Sequence, residues 1–255
     1  MKLSSIPLIV ATALAFAVGA GVAGDKKLNQ PPKGFKALFN GKDFANWKLP
    51  EGDNGHWKVI DGIIDYDAAS EAPGKDKHLW TEKEYGDFEL WIDWKIKRTT
   101  GLYNMPIVLP DGSEKLDENG KIIAIPTPNA DSGIYLRGQG KSQINIWCWP
   151  IGSGEVYGYR RDKTMPPEVR AGVTPKMNAD NPVGEWNTFK VTMKGDRLTV
   201  VLNGKTVIEN AQMPGVPEKG KFALQHHGGK NAKTGEYSAA SSLMQFRNIF
   251  IKELR

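Results

Sequence analysis

The chain has 255 residues, a net charge of +5 and a single cysteine, Cys148. One cysteine excludes an intramolecular disulfide, so stability must come from a core, which a chain of this length can build. Lysine and arginine are scattered with no run of five or more. That spacing excludes the concentrated basic stripe that nucleic-acid binding requires.

At the start, Met1-Lys2, an apolar run from Ile6 to Val18 and the small residues Gly19 to Gly24 have the three-part layout of a secretory signal peptide, with cleavage expected after Ala23. The run is too short and too rich in Ala and Gly for a membrane anchor, and no cysteine stands near the cleavage point to carry a lipid. The expectation is residues 1–23 as signal peptide and 24–255 as one domain. The product would be periplasmic or secreted, with no membrane insertion after cleavage.

Beyond this segment, short alternating runs bounded by Gly, Pro, Asn and Asp predict strands at 56–60, 63–66, 88–96, 133–137, 143–148, 188–194, 197–202, 205–209, 220–227 and 244–253. Asn203-Gly204, between Val200-Val201-Leu202 and Thr206-Val207-Ile208, predicts a type I′ hairpin, and Lys194-Gly195-Asp196 predicts another. Residues 99–130 and 160–183 are proline-rich surface excursions, the first carrying a small hairpin of its own. Loops this long usually frame a site. The pattern predicts an all-β fold: a jelly-roll sandwich of two antiparallel sheets.

Alternation also assigns faces. Phe88, Leu90, Ile92 and Trp94 share one face, and Glu89, Trp91, Asp93 and Lys95 the other. Gln143, Asn145 and Trp147 oppose Ile144, Ile146 and Cys148. Gln225 and His227 oppose Leu224 and His226, while Gln245 and Arg247 oppose Met244, Phe246, Asn248 and Phe250. Solvated faces favour Lys, Glu and Thr, whereas these amide, guanidinium, imidazole and indole groups suit the paired hydroxyls and apolar ring face of a sugar. Adjacent His226 and His227 point opposite ways, so one of them is structural. His56 and His78 stand far off without a ligand spacing, which leaves no zinc motif. Asp93, Glu155 and Asp131 are the carboxylates placed to border a cleft.

The blocks Phe35-Lys36-Ala37-Leu38-Phe39-Asn40-Gly41-Lys42-Asp43 with Trp47, Trp57 to Gly62, Asp87 to Leu90, Ser132-Gly133-Ile134-Tyr135-Leu136-Arg137, Gly184-Glu185-Trp186-Asn187, Leu224-Gln225-His226-His227-Gly228 and Phe246 to Leu254 occur in one order across nearly the whole chain. Together they resemble the 3-keto-disaccharide hydrolase family, whose members share a concanavalin A-like jelly roll. Two departures stand out: Asp131-Ser132-Gly133 replaces the family's usual Asn-Ser-Gly, and the connection from Ile96 to Ser132 is much longer than is typical.

The resemblance implies an enzyme for glycosides already oxidised at C3 by a partner sugar 3-oxidoreductase. A C3 ketone acidifies the C2 hydrogen, so a base can remove it, the C1 substituent leaves, and water then adds. On this expectation His227 or Glu155 moves the proton, and Arg247 and Arg137 donate to the enolate or a hydroxyl. Gln143, Gln225 and Trp147 position the ring, with Asp93, Asn145 and Tyr157 completing the contacts. No cofactor is evident, and a divalent ion such as calcium on a loop stays open. The alternatives are an orthodox two-carboxylate glycoside hydrolase and a non-catalytic carbohydrate-binding module. Against the first, the Glu-x-Asp-x-x-Glu strand of laminarinase-like jelly rolls is absent, since Glu89-Leu90-Trp91-Ile92-Asp93 has the wrong spacing.

Overall fold

The computed structural model describes residues 27–138 and 140–254; the expected signal peptide and its cleavage point lie outside them. In chain order the strands begin with β1 (Lys36–Ala37), β2 (Trp47–Lys48), β3 (Trp57–Ile60), β4 (Ile63–Asp67), β5 (Leu79–Thr81) and β6 (Phe88–Ile96). An excursion carries β7 (Leu102–Pro106) and β8 (Ala124–Pro128), followed by β9 (Asp131–Tyr135) and β10 (Gln143–Trp147). Two short helices, α1 (Tyr157–Arg160) and α2 (Pro167–Gly172), precede β11 (Asn187–Lys194), β12 (Arg197–Leu202), β13 (Lys205–Gln212), β14 (Ala223–Leu224) and β15 (Leu243–Glu253).

These strands form the expected all-β jelly roll. A large antiparallel sheet runs β13-β12-β11-β6-β15-β4-β3, with β1 added beside β15, and faces a smaller sheet ordered β10-β9-β14-β5-β2. The two inner faces share one apolar cluster. Leu90, Ile92, Trp94, Phe189, Val191 and Phe246 enter it from the large sheet, and Ile134, Ile144, Ile146 and Leu224 from the small one. Each such side chain contributes roughly 1.5–3 kcal/mol through removal from water.

Local chemistry explains most boundaries. Asn203 (φ 51°) and Gly204 (φ 81°) are both left-handed, the geometry of the predicted type I′ turn joining β12 to β13. The 99–130 excursion does carry its own hairpin, β7 with β8. By contrast, the strand expected over 220–227 contracts to Ala223–Leu224. After Gln225 donates its N–H to Gly133 O (2.9 Å), the chain leaves the ladder to pack against Ser241 and Ser242.

One face assignment is corrected by β15. Its register with β6 shifts between Arg247 and Phe250, a bulge with Asn248 at φ 50°. The extra residue inverts the alternation beyond it. Ile249 and Ile251 turn into the core, while Asn248 and Phe250 join Trp91 and Asp93 on the outer face of the large sheet.

Candidate active site

The outer face of the small sheet carries a pocket of about 200 Å³ lined by Tyr103, Asp131, Gln143, Asn145, Trp147, Trp149, Tyr157, Gln225 and His227. That is below the roughly 300–1,000 Å³ of sites for drug-sized ligands and suits one sugar ring. Its floor follows from register: Gln143, Asn145 and Trp147 on β10 oppose Tyr135, Gly133 and Asp131 on β9. Gly133 is required at the centre, because a Cβ there would collide with the Gln143 amide and lie 2.7 Å from Ile144 O.

One wall is aromatic. The indoles of Trp147 and Trp149 stack at 3.8 Å and 3°, and Tyr157 stands perpendicular to both. Trp147 Nε1 donates to Gly152 O at 2.7 Å, which fixes its plane. Met105 from β7 packs into this group with Val108 and Ile151. The long excursion is therefore anchored at the pocket and delivers Tyr103, whose ring lies 6.3 Å from that of Trp149.

The other wall is polar. Gln143 Nε2 donates to Gln225 Oε1, and Gln225 Nε2 donates to the Tyr135 hydroxyl at 3.2 Å, so the amides hold each other in place. Asn145 Oδ1 is buried without a hydrogen-bond partner. A buried acceptor left unpaired costs about 1–3 kcal/mol, which a ligand hydroxyl would offset.

His227 is oriented from outside the ladder. Its N–H donates to Ser242 Oγ (2.9 Å), and its ring Nδ1 lies 2.8 Å from the carbonyl oxygen of Ala240. A carbonyl only accepts, so Nδ1 carries a hydrogen, and in the neutral ring Nε2 presents the lone pair. Nε2 lies 4.0 Å from Asp131 Oδ2. Burial raises the Asp131 carboxyl from 3.8 to about 6, opposed by the neighbouring His227. An acid and a base thus stand side by side beneath the aromatic wall. As expected, the adjacent histidine is structural: His226 points inward to the Tyr66 hydroxyl.

Four of the expected site residues lie elsewhere. Arg247 and Asp93 are cross-strand partners on the outer face of the large sheet, on the far side of the core from His227. There Asp93 accepts from Thr188 Oγ1 and Asn248 Nδ2, both at 2.7 Å, while Arg247 covers the Trp186 ring at 4.0 Å. The expectation that His227 and Arg247 act in one site fails because they sit on different sheets. Arg137, at φ 50°, is buried and spends its guanidinium on the carbonyls of Gly86, Gly195 and Pro217 and on Asp87. It ties loops together and is not free to donate to a substrate.

Glu155 is fully buried against Arg160, outside the pocket lining, and burial raises its carboxyl to about 7 despite that partner. Arg160 also reaches Glu114 (3.6 Å) and Gly112 O (3.4 Å) in the excursion. The Glu155 carboxylate therefore braces the loop that forms the rim.

Tyr103 and Trp149 were outside the expected set, and Asp131 was expected only as a carboxylate bordering a cleft, without a role in proton transfer. Trp149 continues the alternation of Gln143, Asn145 and Trp147 by one more step, and Asp131 heads the β9 face, so both were readable. Tyr103 had no local signal, because only the fold-back of the excursion brings it in. Among the described residues no group of three or more His, Cys, Asp or Glu is arranged to hold a metal ion, and no helix is long and apolar enough to cross a membrane.

Comparison with solved structures places the chain beside a candidate glycosyl hydrolase of Parabacteroides distasonis ATCC 8503, with a TM-score of 0.55 at 20% identity over 90% of this chain and 100% of that one. A second candidate glycosyl hydrolase of the same organism aligns with a TM-score of 0.54 at 21% identity, over 88% of this chain and 85% of the other. At these identities the likeness concerns the fold. No curated protein matches the chain. The family model described as the 3-keto-alpha-glucoside-1,2-lyase-like domain matches residues 34–252, nearly the whole described chain, and the protein belongs to that family.

Proposed function

We propose that this carbohydrate-processing protein cleaves 3-keto-glycosides by elimination followed by hydration, with His227 as base and Asp131 as acid. The observation that carries this reading is the Nδ1 hydrogen bond of His227 to Ala240 O (2.8 Å), which in the neutral ring places the lone pair on Nε2, beside a carboxyl raised to about 6. His227 Nε2 takes the C2 proton, and the electron pair enters a C2–C3 enolate. Collapse of the enolate forms the C1–C2 double bond as the C1–O bond breaks, and the Asp131 carboxyl gives its proton to the departing oxygen. Water then adds across the double bond, its oxygen to C1 and a proton to C2. Asn145 is the amide available to the enolate oxygen, since the Gln143 amide hydrogens go to Gln225 Oε1 and Ser132 O, and Trp147 with Tyr157 orients the ring.

This arrangement favours elimination over the orthodox glycosidase. That chemistry needs two carboxyl groups about 5–9.5 Å apart across the scissile bond. Among the described residues lining the pocket Asp131 is the one carboxylate, and Glu155 is sealed away. The ketone would come from a sugar 3-oxidoreductase acting in the same compartment, the periplasm or the medium.

The test is incubation of the purified protein with an aryl 3-keto-glucoside and with its unoxidised parent, following aglycone release. Release from the keto form alone is expected. Release from the parent would favour the orthodox glycosidase, and release from neither would favour a binding module.

A further inference from the structure

We propose that the same sheet face holds a second sugar-ring site, built on Trp80, so that the protein grips neutral oligosaccharides longer than a disaccharide. The inference rests on reading the His227 pocket as a sugar site and extends it to substrate size. Register supplies the first argument. Gln143, Tyr135, Ala223, Trp80 and Lys48 are successive cross-strand partners across β10, β9, β14, β5 and β2, so their side chains share one face. Trp80 and Gln143 are three strand spacings apart, roughly 14 Å. That is further than a single pyranose ring reaches.

The second argument is the construction around Trp80. Its indole N–H donates to Asp76 Oδ2 at 2.7 Å, and its ring stacks on Tyr135 at 5.8 Å and 15°. The indole plane is therefore fixed before any ligand arrives, which lowers the ordering cost of stacking a ring on it. Trp80 lines a separate cavity of about 600 Å³, three times the size of the His227 pocket. His78 lines it as well, and its Nδ1 accepts the His226 N–H at 3.0 Å, so its hydrogen is on Nε2 as a donor.

Charge identifies the occupant. Lys48, Lys219 and Lys221 are balanced by Glu51, Asp76 and Glu84 along this cavity, and Arg137, the fourth cation of its lining, is already paired with Asp87 at 2.9 Å. An even balance offers hydrogen bonds of both senses without a net field, which fits a neutral polyol better than an anionic glycan. Tyr135 joins the two sites directly, since its ring meets Trp80 while its hydroxyl accepts from Gln225 in the His227 pocket.

The experiment is calorimetric titration of the full protein with unoxidised gluco-oligosaccharides of two and five units, in α-1,4, β-1,4 and β-1,3 series. In at least one series the pentasaccharide should bind about ten-fold more tightly than the disaccharide, the effect of one added stacking contact. Trp80→Ala should remove that gain and Trp80→Phe should keep most of it, with thermal melting confirming that both variants are folded. Equal affinity for two and five units in every series, or a gain that survives Trp80→Ala, would overturn the proposal. Because the ligands are unoxidised, the result is independent of chemistry. Cleavage of the keto-glucoside without a length effect would sink this inference alone, and a length effect without cleavage would sink only the elimination reading.

Discussion

The outer faces of the two sheets carry nearly the same residue types, yet they differ in whether the groups left unspent meet in one pocket. On the large sheet Asp93 is filled by Thr188, Asn248 and Arg247, Arg247 lies on Trp186, and the Lys190 ammonium sits 4.1 Å from the Trp91 ring centre. The buried Gln245 Oε1 and Arg247 Nε lack hydrogen-bond partners but lie outside the lining of the cavity there. On the small sheet Asn145 Oδ1 has no partner, and the neutral His227 ring faces the pocket with its Nε2 lone pair. A polar, aromatic face becomes a candidate site where its unspent groups line one pocket, as Asn145, His227 and Asp131 do, and composition alone does not reveal that convergence.

The largest effect expected from this contrast is at His227. His227→Ala should lower turnover of a 3-keto-glucoside by about 10²–10⁴-fold, the usual contribution of a positioned proton-transfer group. Steady-state kinetics with thermal melting as a control checks it. A rate within a few-fold of the parent would return His227 to the structural class.

Asp131→Asn comes next, with an expected loss of about 10–100-fold when the leaving group is a poor one and less when it is a good aryl leaving group. As the acid, Asp131 must be protonated, so activity of the parent should decline as pH rises through about 6, and the variant should lose that limb. The same shift has a stability consequence. The folded carboxyl titrates above its unfolded value, so the folded state holds the proton between 3.8 and about 6 and stability falls as pH rises through that window. Asp131→Asn should therefore raise the melting temperature at pH 8, by up to about 3 kcal/mol of stability, and give no such gain below pH 3.8.

A smaller effect belongs to the floor. Gly133→Ala would push the Gln143 amide away from Gln225. KM should rise several-fold and the melting temperature should fall, because the added Cβ also lies 2.7 Å from Ile144 O and strains the pairing of β9 with β10.

The jelly roll was legible because long strands have strict alternation: the Phe88–Ile96 and Arg197–Leu202 strands match the sequence pattern residue for residue. Strands of two or three residues, such as Trp47–Lys48 and Leu79–Thr81, contain too few positions for a period and are set by tertiary pairing. Within the site, Gln143, Asn145, Trp147, Tyr157, Gln225 and His227 converge as the alternation and resemblance implied. Arg247 did not, since period-2 reading assigns a residue to one of two faces without saying which sheet of a sandwich it belongs to. Glu155 and Arg137 failed for another reason. A charged residue near a turn gives no sign of whether it meets solvent or a buried partner, and here the partners are Arg160 and Asp87, from 5 and 50 residues away.

The smallest effect is the one that separates the two faces most directly. Arg247→Ala removes a guanidinium that covers Trp186 and pairs with Asp93 at 3.4 Å, so it should cost about 1 kcal/mol of stability, chiefly through lost packing. Asp93 keeps its Thr188 and Asn248 donors in that variant, so no bare buried charge is created and the loss stays modest. Turnover should remain within about two-fold of the parent, because the whole apolar layer lies between Arg247 and the His227 pocket and the strand pairing of β15 with β6 depends on backbone groups. A hundred-fold loss of activity with unchanged melting would mean that the reacting sugar sits on the large sheet, where Trp91, Asp93 and Phe250 border a cavity of about 410 Å³. Near-normal turnover with a slightly lower melting temperature would leave the small sheet as the working face.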